Sequence, residues 1–280
     1  MTDNHSQTAL TAAAARAAHL IVDGAPTIFS DPLAEALLGE QAETLLSYHR
    51  NHGDHLVLAG ARTQVTLRSR FSESRVADAA ARGVDQYVIL GAGLDSFAYR
   101  DDSAVTVFEV DHPASQEWKR ARLAEAGVTI GDNVVHVPVN LETEALLEPL
   151  VRAGFDTSRP AVVGWLGVTM YLTRPAIAAT LATIGGLASG TDLVTDFMLT
   201  PELRDERGQT YVELVAPNSA ERGEPWLSFF TPDDMSQLLV EHGFTGVRHL
   251  RQRDFSDELW RRDDTLCPTD LSVLTCATTR

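Results

Sequence analysis

The segment VILGAGLDSFAYR, Val88 to Arg100, stops an apolar run at Gly91-Ala92-Gly93. Glycine lets a backbone turn sharply and lets a ligand approach with no Cβ in the way. The next apolar run, TVFEVDHP, carries Asp111, 18 positions beyond Gly93. An acid about 20 residues after a glycine turn is where α/β cofactor folds hold ribose hydroxyls, because a carboxylate accepts from both. Glu109 shares the strand face by its two-residue period, but Asp111 is nearer the strand end. Asp111 has two compatible readings: ribose contact, and capping of the helix that opens at Pro113.

The third glycine of the dinucleotide fingerprint is absent, since position 96 is serine. Asp95, in the same turn, would repel a diphosphate. A zwitterionic or cationic ligand such as S-adenosylmethionine suits this loop better than NAD does. Two rival readings remain at this point. One is an NAD(P)-dependent oxidoreductase, which needs a phosphate cradle that GAGLDS offers poorly. The other is a non-catalytic cofactor-binding or interaction module.

Other residues have weaker claims. His112 follows Asp111 at the cleft and is a candidate base if the acceptor is a hydroxyl; the alternative is a surface residue at a helix start. Tyr171, in TMYLT, could orient an acceptor or simply pack in the core. His49, His52 and His55 recur every third position, but Gly53 and the flanking charges favour an exposed loop or frayed helix over a metal site. Trp226, Phe229 and Phe230 either line an apolar pocket or anchor the segment before them.

These residues need elements to position them. Short apolar runs, QYVIL, VTVFEV, NVVHVPV, AVVGWLG and DLVTDFM, alternate with helical stretches Pro113–Ala126, Leu141–Ala153 and Arg174–Ala188. That alternation predicts a mostly parallel sheet with helices on both faces. TPDDMSQLLVEHGF reads as a helix with Thr231 as N-cap and Gly243 just past its end. TGVRHL and LSVLTCAT add two strands, making seven, with a hairpin-like antiparallel finish. Upstream, helices are expected over Thr8–Val22, from Asp31 as cap to a stop at Gly39, and over Gly60–Arg82. The chain reads as one domain. Residues 1–83 form a helical lid and cap, 84–199 the cofactor-binding core, 200–230 a substrate lid insertion, and 231–280 the closing helix and strands.

Composition narrows the partners. Of 280 residues, 39 are acidic and 23 basic, a net charge of −16. So acidic a chain repels nucleic acid and anionic membranes, and the basic cluster Arg248, Arg251 and Arg253 reads as a solvated edge. The two cysteines, Cys267 and Cys276, match no zinc spacing and read as buried free thiols of a cytoplasmic protein. The N-terminal stretch lacks the layout of a signal peptide, and no apolar run reaches the ~18 residues of a membrane span.

Taken together, VILGAGLDSFAYR, FEVDHP with its lysine–arginine helix, GWLGVTMYLT, RAAH and SDPLAEALLG resemble the leucine carboxyl methyltransferase family. The likeness is to its bacterial, actinomycete-type O-methyltransferase branch and covers nearly the whole chain. It implies a class I, Rossmann-like methyltransferase fold, S-adenosylmethionine as donor, and an oxygen on a small-molecule metabolite, often a carboxylate, as acceptor. By this resemblance Gly91 touches the cofactor and Asp111 holds the ribose. Arg70 of SRF pairs with the methionine carboxylate, with Arg68 as the second candidate, and Arg16 closes over the same group. Two positions depart from the family: Asn140–Leu141 replaces an adenine-side aspartate–leucine pair, and Leu166 stands where an acid follows the fourth strand. The latter leaves the methionine ammonium short of an anion and keeps the non-catalytic reading open.

Overall fold

The computed structural model describes residues 6–100, 104–255, 259 and 266–280. Helix α1 (Gln7–Val22) begins at Ser6, whose hydroxyl accepts the Ala9 N–H at 3.0 Å. Its alanines are small enough for close approach, and Ala13, Ala14, Ala17 and Ala18 bury themselves against neighbouring helices. The expected helix after Asp31 shrinks to α2 (Ala34–Leu37). Asp31 keeps part of the expected capping role, its Oδ1 accepting the Leu33 N–H at 3.2 Å, while its Oδ2 pairs with Arg16 at 2.8 Å. Then come α3 (Ala42–His52) and the long α4 (Leu56–Ala81). Helix α4 starts four residues earlier than expected because His55 caps it, accepting the Val57 N–H.

Strand β1 (Gln86–Leu90), β2 (Thr106–Asp111), helix α5 (Pro113–Glu125) and β3 (Val134–Pro138) follow. Helix α6 (Leu147–Arg152) occupies only the second half of its expected span. Asn140 takes the chain through turns instead, its side-chain oxygen accepting the Glu142 N–H and its own N–H going to Glu144. Next are β4 (Val162–Trp165), α7 (Arg174–Gly185), β5 (Asp192–Met198) and α8 (Glu206–Glu221). The chain closes with α9 (Pro232–Glu241), β6 (Phe244–Arg251) and β7 (Ser272–Thr279). Thr231 and Asp234 form the capping box of α9.

The seven strands lie in the order β3-β2-β1-β4-β5-β7-β6. β1 to β5 pair in parallel, and β7 runs antiparallel between β5 and β6. The last strand therefore inserts inside the sheet and leaves β6 at the edge. One sheet face packs Phe108, Trp165 and Phe197 against α6, α7 and α9. The other packs Tyr87, Ile89 and Val107 against Val76 and Ala79 of α4. Both cysteines are half-buried rather than fully buried, and both are free.

Candidate active site

The strand order reverses between β1 and β4, and ligands of open α/β sheets sit at that crevice. The chain leaves β1 through Gly91 (φ +68°) and Gly93 (φ +43°). A Cβ on Gly91 would lie 2.4 Å from Val168 Cγ2, so both backbone angle and space demand glycine there. The next strand braces this turn. Asp111 Oδ2 accepts the Gly93 N–H at 2.6 Å, and Oδ1 accepts the His112 N–H at 2.6 Å. Burial pushes the Asp111 carboxyl above the usual carboxylate range, and the two N–H donors pull against that rise. Each oxygen keeps a further lone pair for a hydroxyl.

Asp111 is not the cap of α5. That role falls to His112, whose Nδ1 accepts the Ala114 N–H at 3.2 Å. The neutral ring then carries its proton on Nε2, so His112 offers the crevice a donor, and a base role requires the cap to break.

The turn opens onto a cavity of about 930 Å³. Gly91, Ala92, Gly93, Asp95, Asp111 and His112 line it from the cofactor-turn side, with Asn140 beyond them. Arg16, Arg68, Leu166 and Tyr171 line it from other elements. Arg70 does not. Residues 68 and 70 point about 200° apart on a helix, and Arg70 is exposed, donating to the Ile28 carbonyl at 2.9 Å. Arg68 is the one turned inward, 3.8 Å from Asp196 and packed over Gly167. Leu141 is likewise out of the cavity, packed against the apolar core.

Arg16 is buried, paired with Asp31 at 2.8 Å and donating to the Leu94 carbonyl at 2.5 Å. It thus ties α1 to the glycine turn. Leu166 fits an apolar cluster as well as the cavity wall. Anions nonetheless reach the cavity from elsewhere. Asp95 accepts the Phe97 N–H at 2.8 Å, and Glu73 pairs with Arg100. Burial raises the Glu73 pKa to about 7 against the pull of Arg100, with Asp95 and Asp31 adding to the rise. Glu73 was missed in the sequence, though it stands four residues after Ser69, and both line the cavity from α4.

Met170, Met198, Tyr211 and Trp226 add an apolar portion to the cavity wall. Tyr171 has its hydroxyl beside Thr8 and the Trp226 indole, and burial raises its pKa. Of the three aromatics singled out before α9, only Trp226 lines the cavity. Phe230 is buried against Phe197, and Phe229 stacks under Arg204. The three histidines diverge. His49 is buried, His52 is exposed and His55 caps α4, so of the expected loop or frayed helix the stretch is a helix end, with one side chain turned inward. Among the described residues no three His, Cys, Asp or Glu side chains gather as a metal-holding group.

The sequence model described as leucine carboxyl methyltransferase matches residues 9–185, from α1 to the end of α7. The chain belongs to the leucine carboxyl methyltransferase family. This is a family of S-adenosylmethionine-dependent methyltransferases. The chain is 29% identical over 276 residues to Bacillus subtilis YktD, which is named for that activity; the match covers 90% of each chain. A Mycobacterium tuberculosis protein with the same naming is 33% identical over 225 residues, covering 78% of this chain and 69% of its own length. Among solved structures, a Streptomyces avermitilis DUF574 family protein superposes with a TM-score of 0.60 at 15% identity, covering 95% of this chain and 96% of its own. A Thermobifida fusca protein described as a methyltransferase gives 0.58 at 20% identity, covering 88% and 92%. These structural likenesses fit the expected class I methyltransferase fold, and family membership favours methyl transfer over hydride transfer. Among the described residues no helix is long and apolar enough to cross a membrane.

Proposed function

We propose that this member of the leucine carboxyl methyltransferase family methylates an oxygen, a carboxylate or a hydroxyl, on a small apolar metabolite in the cytoplasm. The observation that carries the reading is the single cavity into which the glycine turn, Asp111 and Arg68 all open. Its volume is of the size that takes a cofactor together with a small acceptor.

The donor set fits S-adenosylmethionine. Asp111 would accept the ribose hydroxyls, Arg68 would take the carboxylate, and Asn140 would face the adenine. Glu73 and Asp95 supply the negative charge that Leu166 withholds from the ammonium. When bound, the cofactor supplies an electrophilic methyl group on a sulfonium sulfur. The chain's own contribution is alignment and exclusion of water. Trp226, Met170, Met198 and Tyr211 give the acceptor side apolar walls, and Tyr171 has a hydroxyl to orient an oxygen. A carboxylate is already ionised near neutral pH and needs no base, which agrees with His112 being held as a donor. Residues 200–230, with α8 at their centre, serve as the lid over the acceptor.

The test is thermal denaturation with S-adenosylhomocysteine and with NAD. A ligand that binds only the folded state raises Tm by mass action. A shift with S-adenosylhomocysteine alone, followed by transfer of labelled methyl to an acceptor oxygen, read as a base-labile methyl ester for a carboxylate or a base-stable ether for a hydroxyl, supports the proposal. A shift with NAD alone defeats it.

A further inference from the structure

His49 lies on α3, outside every motif that points to the cofactor, yet it lines the same cavity. It is 5% exposed. Its Nδ1 is taken by Arg62, whose Nη1 lies 3.2 Å away. Arg62 has no freedom to leave. Its Nε and Nη2 bond the two oxygens of Asp23 at 2.8 and 3.0 Å, and Nη2 also donates to the Gly53 carbonyl at 2.8 Å. A guanidinium only donates, so His49 Nδ1 is an acceptor and the neutral ring carries its proton on Nε2. Burial, with Arg62 beside it, holds the His49 pKa down to about 4, and the ring is neutral at pH 7.

The result is a fixed N–H donor that has no hydrogen-bond partner among the described residues. That donor is open to the cavity, where a bound acceptor oxygen can take the place of solvent on it. The same cavity takes apolar lining from Leu45 and Tyr48 of α3, Val57 and Leu58 of α4, and Leu214 and Val215 of α8. Of these, Tyr48 and Leu214 are 57% and 45% exposed.

We infer that His49 Nε2–H binds the methyl acceptor, donating to a carboxylate or carbonyl oxygen on an otherwise apolar molecule. The inference rests on the methyltransferase reading of the cavity. It makes His49 a specificity residue, since an N–H held by Arg62 can donate to an oxygen but offers nothing to an ammonium group. It also excludes His49 as a base, because its one free nitrogen already carries a proton.

Octanoate, 4-phenylbutyrate and octylamine serve as probes, titrated calorimetrically into the protein saturated with S-adenosylhomocysteine. The carboxylates are expected to bind and octylamine not. His49→Phe is expected to weaken the carboxylates about tenfold or more, leaving S-adenosylhomocysteine affinity within about twofold. His49→Gln, whose amide accepts from Arg62 and donates to the cavity, is expected to restore most of the binding. A measurement on the unaltered chain covers the case of a variant that does not fold: the His49 Nε2–H resonance should shift on addition of octanoate. Binding of neither carboxylate, equal binding in His49→Phe, octylamine as tight as octanoate, or an unmoved resonance each overturns the inference. Failure of S-adenosylhomocysteine to bind the unaltered chain would instead strike the methyltransferase reading itself.

Discussion

The Gly93 N–H donates to the Asp111 carboxylate across 2.6 Å. The bond spans the gap between the end of β2 and the turn after β1. It makes one side chain both the brace of the glycine turn and the acid that faces the ribose position. Asp111→Ala is therefore expected to act twice. S-adenosylhomocysteine affinity should fall by about 1.5–3 kcal/mol, the range for hydrogen bonds to a charged group. Tm should fall as well, because the turn loses its brace. Calorimetry and thermal denaturation read the two effects separately, and unchanged affinity would leave Asp111 with a structural role only.

The two arginines of α4 make opposite predictions. A guanidinium–carboxylate pair is bidentate and directional, so lysine replaces it poorly. Arg68→Lys should weaken S-adenosylhomocysteine about tenfold or more, whereas Arg70→Lys should leave it unchanged. A loss at Arg70 equal to that at Arg68 would mean that α4 presents a different face when ligand is bound.

Helix α1 is latched at its first turn. Glu224 accepts from the Ser6 hydroxyl at 2.7 Å and from the Thr8 N–H and hydroxyl, both at 3.1 Å. Farther along, Arg16 and the alanines are buried. Opening for cofactor exchange is thus expected at the latch rather than over all of the first ~25 residues. Amide hydrogen exchange with and without S-adenosylhomocysteine should differ most over residues 6–12, and Glu224→Gln should speed exchange there. Uniform protection in both states would make α1 fixed packing throughout.

Acid should destabilise the fold through buried His49 and half-buried His136. Burial depresses both His49 and His136 to about 4, with Arg62 adding at His49 and Lys119 at His136. Between that value and the ordinary 6.5, the unfolded chain binds the proton and the folded chain does not. Stability from these groups is present above pH 6.5 and is lost as pH falls toward 4. The drop in Tm from pH 7 to pH 4.5 should shrink in His136→Gln. An identical drop would assign the acid sensitivity to carboxylates.

Glu73 runs the other way. Its folded pKa is raised to about 7, so between the ordinary 4.5 and that value the folded chain holds the extra proton. Its contribution to stability is present below pH 4.5 and is lost as pH rises through 7. Deprotonation supplies the anion that a cationic cofactor needs. S-adenosylmethionine affinity should rise between pH 6 and 8, and Glu73→Gln should flatten that rise. Persistence of the rise in the variant would move the titration to another group.

The alternating apolar runs from Val84 onward were enough to establish an α/β sheet. Parallel strands buried on both faces read as largely apolar stretches, and QYVIL became β1 with its ends unchanged, as did DLVTDFM β5, buried throughout despite Asp192, Thr195 and Asp196. The glycine turn and Asp111 were legible too, because their geometry is local: a backbone angle that glycine favours, and a strand end. Tertiary structure alone decided the rest. Helix α4 buries Arg62, Thr63, Gln64, Val65, Thr66 and Leu67 in succession, so its sequence has no single apolar face to say whether Arg68 or Arg70 turns inward. Asp31 has the signature of a helix cap and does accept the Leu33 N–H, but only the fold pairs its other oxygen with Arg16, fifteen residues away on α1. His49 sits in a stretch that reads as exposed and charged. Only the folding of α1, α3 and α4 around Arg62 buries it, fixes its proton and turns it toward the cavity. Backbone preferences act between neighbours in the chain, whereas charge pairing and burial act between neighbours in space.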